Sequence, residues 1–269
     1  MIIIQGRAVL YGELWLDEPQ PPPAAGVDIL VHRFRSAPIA AVRNSPLHSL
    51  RTELTPPAEA IFAGFDESCR RQIRRAERAD ALGYGLSADP AAETEEFADF
   101  FDVFARQKGL WLADRHWLTR AAEAGQLALS CVMRAGETLV WHAHLRTADT
   151  AQLAHSASLF RGADGEHRSL VGRANRWLHW QDMLTFKAAG ALRYDWGGMF
   201  ADESTAESAG INRFKRSFGG APVQAYECSV PVTLRGRVWL TVRRATPGSL
   251  RARAAHAQRQ PPSRPAYGS

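Results

Sequence analysis

Lys215 is the side chain whose type and spacing most favour a catalytic role. It lies in the run GINRFKRSFGG, on a short helix predicted over 209–218 with Ile211 and Phe214 on its apolar stripe. At about 100° per residue Lys215 lies about 40° from Ile211, so packing would hold its ammonium group inward. Such a fixed cation can stabilise negative charge that develops on a bound substrate. The alternative is a side chain whose stem packs while its charge stays in solvent.

Paired glycines form the second element of the candidate site. Gly197 and Gly198 end a strand predicted over 192–196. Glycines at a strand end let a ligand approach the backbone and leave its N–H groups available, although ordinary turns also use them. Asp195 alternates with the aromatic residues beside it, so its carboxylate faces the opposite side of the sheet from Trp196.

Three histidines lie on two neighbouring predicted strands. His142 and His144 share one face of a strand, and His155 lies on the next. Asp195, His144 and His155 are candidates, by position alone, for the base that takes a proton from an attacking amine. The spacing supplies no further ligand and no cysteine, so we predict half-buried or cleft-lining histidines and no metal site.

An arginine-rich segment is predicted as a helix over 66–81. Its arginines fall within an arc of roughly 140°, opposite Cys69 and Ile73. They are Arg70, Arg71, Arg74, Arg75 and Arg78. Guanidinium forks suit phosphate and pyrophosphate groups. A solvated basic face is the competing interpretation.

Taken together, these segments resemble the Fem-type aminoacyltransferases, relatives of the GNAT acyltransferase fold. The resemblance covers roughly 65–228 and is carried by RRQIRRAE, a long helix, YDWGG and GINRFKRSFGG. It implies an α/β (mixed α+β) GNAT-like fold: a central mixed sheet, splayed between central strands and flanked by helices, with an abbreviated N-terminal lobe. It also implies acyl transfer to an amine, with Lys215 at the tetrahedral intermediate. Arg70, Arg71 and Arg74 match the residues that contact acceptor phosphates in that family.

The donor in such a reaction is acyl-CoA or aminoacyl-tRNA, acting as a co-substrate, and we predict no tightly bound cofactor. The GNAT pyrophosphate signature, Q/R-x-x-G-x-G/A, is replaced here by FRGADGEH over 160–167. The missing signature favours tRNA, whereas the shortened first lobe favours a simpler acyl donor. The predicted donor-binding residues are Gly197, Gly198, Trp196, Arg161 and Arg213.

The elements that must position these residues alternate between helix and strand. Predicted strands cover 2–4, 9–15, 27–34, 39–42, 127–134, 138–147, 151–159, 192–196 and 223–228, and predicted helices cover 66–81, 93–108, 115–124, 167–189 and 209–218. Helix stops at glycine and strand alternation carry most of these assignments. The order predicts one sheet with helices packed on it.

Three parts of the chain follow from these elements. We predict an abbreviated N-terminal lobe over 1–89 that includes the arginine-rich helix, a GNAT-like domain over 90–240, and a basic, disordered tail over 241–269. The net charge is +5, yet no acidic residue follows Glu227 while eight arginines do. A basic tail of this kind favours contact with tRNA or with an anionic membrane surface.

Composition and absent motifs exclude several classes. The sequence has neither a phosphate loop nor a G-x-S-x-G nucleophile elbow, and no apolar run of membrane-spanning length. Three scattered cysteines favour a reducing, cytoplasmic setting. The leading hypothesis is transfer of an acyl or aminoacyl group to a small-molecule or glycan-linked amine related to the cell envelope or peptidoglycan. The alternative is a non-catalytic GNAT-like module that binds an anionic glycan or nucleic acid.

Overall fold

The computed structural model describes residues 1–19, 26–159 and 164–245, with side chains to 242. Within these residues the strands are β1 (Ile2–Gln5), β2 (Leu10–Trp15), β3 (Ile29–Arg35), β4 (Arg43–Glu53), β5 (Gly83–Leu86), β6 (Leu127–Arg134), β7 (Glu137–Arg146), β8 (Thr150–Ser158), β9 (Arg193–Gly198) and β10 (Ala221–Pro231). The helices are α1 (Ala58–Ala63), α2 (Glu67–Ala79), α3 (Pro90–Lys108), α4 (Arg115–Glu123), α5 (Gly165–Ala188), α6 (Ala206–Arg216) and α7 (Leu234–Ala245).

All ten strands join one mixed sheet in the order β1-β2-β3-β10-β4-β9-β8-β7-β6-β5. The β2–β3 and β8–β9 pairs are parallel and the others are antiparallel. The predicted run of three antiparallel strands is confirmed as β6, β7 and β8. The C-terminal strand β10 lies between β3 and β4, so distant parts of the chain share one sheet.

Helices cover the sheet because alternate strand residues are apolar on each side. A core formed with α1, α2, α5 and α6 includes Ile73, Trp180, Trp196 and Phe218. A second core lies under α3 and α4, where Phe97 packs edge-on against Trp141 of β7 with ring centroids 5.8 Å apart. At about 25 cal/mol per Å² of buried apolar surface, these layers supply most of the favourable free energy of folding.

The parallel pair β8–β9 is short. Only Thr150, Ala151 and Gln152 pair with β9, whereas β8 continues to Ser158 and β9 continues to Gly198. The ladder therefore stops at Gln152, and both strands run on beyond it. Main-chain polar groups of β9 beyond the ladder must find other partners.

Several sequence-based element predictions need correction. The strand predicted over 39–42 is wrong, because Asn44 accepts a hydrogen bond from the Ile39 N–H (2.8 Å) and donates one to the Ile39 carbonyl (2.8 Å), closing a turn there. The strand instead begins at Arg43. The elements α1, β5 and α7 were not predicted from the sequence. The predicted boundaries between the three parts of the chain, at 89 and 240, stay predictions. Helix α7 continues across residue 241, and all the described strands belong to one sheet. No helix among the described residues is long and apolar enough to cross a membrane.

Candidate active site at the end of β9

Lys215 reaches the end of β9 from α6, as its place beside the apolar stripe predicted. Its half-buried ammonium group donates hydrogen bonds to the carbonyls of Trp196 (2.8 Å) and Gly198 (2.7 Å). Both carbonyls lie beyond the last residue of β9 that pairs with β8. An ammonium group has three donors, so these two bonds leave one N–H of Lys215 for a further acceptor.

Burial sets the charge state of this lysine. Removal from water lowers the pKa of Lys215 to about 8, and the negative charge of Asp195 partly opposes that shift. At neutral pH the group is therefore mainly a cation, held where two main-chain carbonyls fix its direction. A cation positioned in this way needs little reorganisation to meet a developing oxyanion.

Gly197 has to be glycine at the point where β8 and β9 stop pairing. Its φ is +66°, and a Cβ there would lie 2.7 Å from the carbonyl oxygen of Leu153. Its N–H donates to Asp195 Oδ1 (2.9 Å), so this N–H is not available to a substrate. Gly198 instead contributes its carbonyl to Lys215, and the Trp196 indole is buried with its N–H on Thr52.

Asp195 is fully buried on the opposite face of β9 from Trp196. Arg51 of β4 donates to its Oδ2 (2.7 Å), and Ser49 donates to its Oδ1 (2.6 Å). Gln152 of β8 and the Gly197 N–H also donate to Oδ1. The carboxylate thus binds three strands together, and every described contact is internal. Its predicted catalytic role remains a prediction, whereas these contacts fit a positioning role.

His144 belongs to a buried polar network beneath α5. Its Nε2 lies 2.9 Å from the Tyr194 hydroxyl, which is also 3.0 Å from His179 Nδ1, and His144 Nδ1 has no partner among the described residues. Burial lowers the pKa of His144 to about 4, so the ring is neutral at physiological pH. His144 is inaccessible to solvent, and its role as a base also stays a prediction.

The same network contains a potential metal-ligand set that spacing along the strands did not reveal. Ligand atoms of His142, His179 and Asp182 lie within 4.8 Å of one another. In the structure, however, His142 uses both ring nitrogens for hydrogen bonds, to Asp182 (2.8 Å) and Asn175 (2.9 Å). His155 packs on the other side of the sheet, against Phe101. The three residues could hold an ion only if His142 exchanged a hydrogen bond for it.

Arg176 of α5 is a half-buried cation that the sequence analysis missed. Its guanidinium lies 4.8 Å from the ring centroid of Phe214, the residue before Lys215. Its Nε has no hydrogen-bond partner among the described residues, and burial lowers the pKa of Arg176. The same guanidinium donates through Nη1 to the Gly172 carbonyl (3.1 Å), so only its Nε carries the cost of a buried donor without an acceptor.

The arginine face of α2 is present as predicted, but its arginines do not all point to solvent in the same way. Arg70 donates to the carbonyls of Ala63 and Phe65 and thereby ties α2 to α1. Arg74 lies over the Phe62 ring, with the guanidinium carbon 5.4 Å from its centroid. Exposed guanidinium groups line a shallow groove along the helix. These belong to Arg71, Arg74, Arg75 and Arg78.

The two remaining predicted donor-binding residues are less informative. Arg213 is exposed on α6. Arg161 lies outside the described residues.

A surface cleft of about 520 Å³ begins directly after β9, at Met199, and reaches Gly219 after α6. Lys215 does not line this cleft, but Arg216, the next residue of α6, does, so a substrate there would lie beside the C-terminal end of that helix.

The residues missed around Asp195 and those missed around Tyr194 were hidden for different reasons. Ser49 and Arg51 lie about 145 positions from Asp195 in the chain, as the separations 146 and 144 of their bonds show. The buried polar residues of α5 did carry a signal. His179 and Asp182 follow Asn175 at i+4 and i+7, which places all three on one helix face.

Comparison with solved structures identifies similar folds. FemX has a TM-score of 0.55 at 12% sequence identity, over 72% of this chain and 63% of FemX. A conserved protein of unknown function from Bacteroides thetaiotaomicron has a TM-score of 0.50 at 10% identity, over 74% of this chain and 69% of that protein. The C-terminal domain of a putative lysylphosphatidylglycerol synthetase from Agrobacterium fabrum has a TM-score of 0.47 at 10% identity, over 81% and 73%.

No family model and no curated protein matches the chain. The match to FemX spans less than two thirds of the length of FemX. At this identity the similarity establishes architecture rather than activity. The chain therefore has the GNAT-like α/β fold found in FemX, a mixed sheet flanked by helices, as the sequence motifs predicted.

Proposed function

We propose that this protein is an acyltransferase that moves an acyl or aminoacyl group from an activated donor to an amine. The Fem-type enzymes, which the sequence motifs resemble, add amino acids to peptidoglycan precursors, and the fold is shared with FemX. The observation that carries the proposal is the ammonium of Lys215, fixed by the Trp196 and Gly198 carbonyls with one donor left over.

In the proposed reaction the neutral amine attacks the carbonyl carbon of an ester or thioester. A C–N bond forms, the carbonyl oxygen becomes an oxyanion, and Lys215 donates its remaining N–H to that oxygen. Collapse breaks the C–O or C–S bond, and the leaving alcohol or thiol receives the proton that the amine loses. Asp195 holds the strand that directs Lys215.

The donor in this proposal is acyl-CoA or aminoacyl-tRNA, and the acceptor is an amine of a cell-envelope or polysaccharide-related molecule. The exposed arginines of α2 support a phosphate-bearing substrate, because guanidinium groups pair bidentately with phosphate oxygens. Of the three arginines predicted to contact acceptor phosphates, Arg71 and Arg74 have exposed side chains, whereas the Arg70 guanidinium is already bonded to main-chain carbonyls.

Thermal unfolding in the presence of candidate donors tests the proposal. Acetyl-CoA, a longer acyl-CoA and charged tRNA are each titrated, and we expect one donor class to raise the Tm and to yield an acylated amine by mass spectrometry. Uncharged tRNA and free CoA serve as controls for binding without transfer. The proposal is wrong if no donor raises the Tm and no amine is acylated.

A binding module without catalysis is the second candidate, favoured by the exposed arginine face of α2. It would bind an anionic glycan or nucleic acid with an affinity that falls steeply as salt rises. Retained binding, with no turnover of any donor, would favour this candidate over the acyltransferase.

A further inference from the structure

Helix α7 presents apolar side chains in two directions. On its inner side, Trp239 and Leu240 pack against a small core that includes Ile29 and Val31. The Trp239 indole N–H also donates to the Tyr11 hydroxyl at 2.6 Å. This side attaches the helix to the β2–β3 end of the sheet.

The attachment of α7 is close and specific. Asp28 accepts a hydrogen bond from the Thr233 hydroxyl (2.6 Å), and its carbonyl accepts one from the Val232 N–H (2.8 Å). A Cβ at Gly236 would lie only 2.1 Å from the Asp28 carbonyl oxygen, so the helix backbone itself lies against this connection. The helix is therefore held in a fixed orientation relative to the sheet.

The outer side of α7 carries a stripe of large apolar residues. Leu234, Val238 and Val242 follow one another at intervals of four and are 77%, 59% and 57% exposed. At about 100° per residue they span an arc of roughly 80°, with Arg235 at one border and Arg237 beyond the other. An exposed apolar stripe bordered by arginines differs from an ordinary solvated helix face.

The charge around the stripe indicates what covers it. No acidic residue follows Glu227, while eight arginines do. A second copy of α7 would bring arginines against arginines. Residues 246–269 offer only Leu250 and Tyr267 as large apolar side chains and add four arginines. An anionic lipid surface provides both an apolar layer for the stripe and negative charge for its borders.

We propose that α7 binds the surface of an anionic membrane, with Leu234, Val238 and Val242 inserted at the boundary between headgroups and acyl chains and Arg235 and Arg237 at the headgroups. The proposal concerns a surface separate from Lys215 and does not depend on acyl transfer. It predicts binding that requires both the stripe and the lipid charge.

Vesicle co-sedimentation with the full chain tests this. We expect binding to phosphatidylcholine vesicles that contain phosphatidylglycerol, and little binding to vesicles of phosphatidylcholine alone. The double variant Leu234→Ser with Val238→Ser should weaken binding at least about tenfold, because apolar surface is lost from the inserted side. Val103→Ser is the matched control, since Val103 is 42% exposed on α3, outside the proposed surface.

Circular dichroism establishes that the variants are folded before they are compared. Binding by the double variant equal to that of the unmodified chain would overturn the proposal, because the basic residues alone would then account for attachment. Equal binding to neutral and anionic vesicles would also overturn it. So would a dimer in sedimentation velocity that dissociates in the double variant, since a second copy would then be the occupant.

Discussion

Two regions of the molecule use positive charge in opposite ways. At the end of β9 a single ammonium, Lys215, is half-buried, bonded to two carbonyls and shifted in pKa to about 8. On the outer face of α2 several guanidinium groups, such as those of Arg71 and Arg75, are exposed to solvent. Solvent screens the charges of the exposed guanidinium groups, whereas burial strengthens the electrostatic field of the Lys215 ammonium. In the proposed reaction, we expect catalysis to depend on the one fixed cation and attraction of the substrate to depend on the exposed ones.

The strongest test of the fixed region is Asp195→Asn. Asp195 is fully buried and pairs with Arg51, whose side chain is 14% exposed, so the variant leaves a nearly buried guanidinium without its counter-charge. We expect a loss of about 3 to 5 kcal/mol in the free energy of unfolding, measured with urea. The matched exposed pair is Arg216–Glu203, where Glu203→Gln should cost much less, because solvent screens that pair. Equal losses in the free energy of unfolding for Asp195→Asn and Glu203→Gln would contradict the difference between the buried and the exposed ion pair.

Replacing the fixed cation itself should have the next largest effect. Lys215→Met should lower kcat at least about 100-fold while the protein stays folded, because one oxyanion donor is lost. Lys187→Met is a matched control, since Lys187 also donates to two main-chain carbonyls, those of Leu54 and Thr55, at the opposite end of β9 from Lys215. A kcat for Lys215→Met close to that of the unmodified protein would remove this lysine from the mechanism.

The pH dependence of the reaction rate tests whether Lys215 acts in its charged form. Lys215 is charged below its pKa of about 8, so a rate that needs the ammonium should fall as pH rises through 8. Well above that value the decrease approaches about tenfold per pH unit. Lys215→Arg should move the fall to a higher pH, because a guanidinium stays charged. With an acceptor amine that is already neutral at pH 8, a rate that keeps rising above pH 8 would contradict a requirement for the Lys215 ammonium.

The exposed region should give the smallest effects. Arg71→Gln with Arg75→Gln should raise the KM for a phosphate-bearing substrate about two- to fivefold, with kcat unchanged, and should make binding less sensitive to salt. Arg106→Gln with Arg134→Gln removes the same charge from exposed positions outside α2 and should leave the KM unchanged. A large fall in kcat in the α2 variant would contradict a purely attractive role.

Much of the fold could be predicted from local patterns. The helices α2 to α6 follow from apolar stripes and glycine stops, and β6 to β8 follow from alternation and short turns. Lys215 could be placed for the same reason, since its inward position depends only on spacing within α6. Strand β4 could not, because RNSPLHSLRTE is polar and contains Pro46, yet β10 and β9 pair with it on either side.

The candidate site was only partly accessible to prediction because its supports come from distant strands. Ser49 and Arg51 meet Asp195 only once β4 lies beside β9, and no local pattern encodes that pairing. Strand alternation placed Asp195 opposite Trp196 correctly, but it could not show that internal donors surround the carboxylate. The α5 residues His179 and Asp182 were hidden for a different reason, since polar residues on a buried helix face resemble solvent-facing ones in sequence.

The place of β10 in the sheet has a consequence for synthesis of the protein. Strands β3 and β4 each pair with β10 along one edge, and Arg33 of β3 binds Glu227, 194 residues later. While the ribosome is still making the middle of the chain, those two edges have no partner strand. Strands β3 and β4 can therefore complete their pairing only after residue 231 has left the exit tunnel, and until then their unpaired edges are open to wrong pairings.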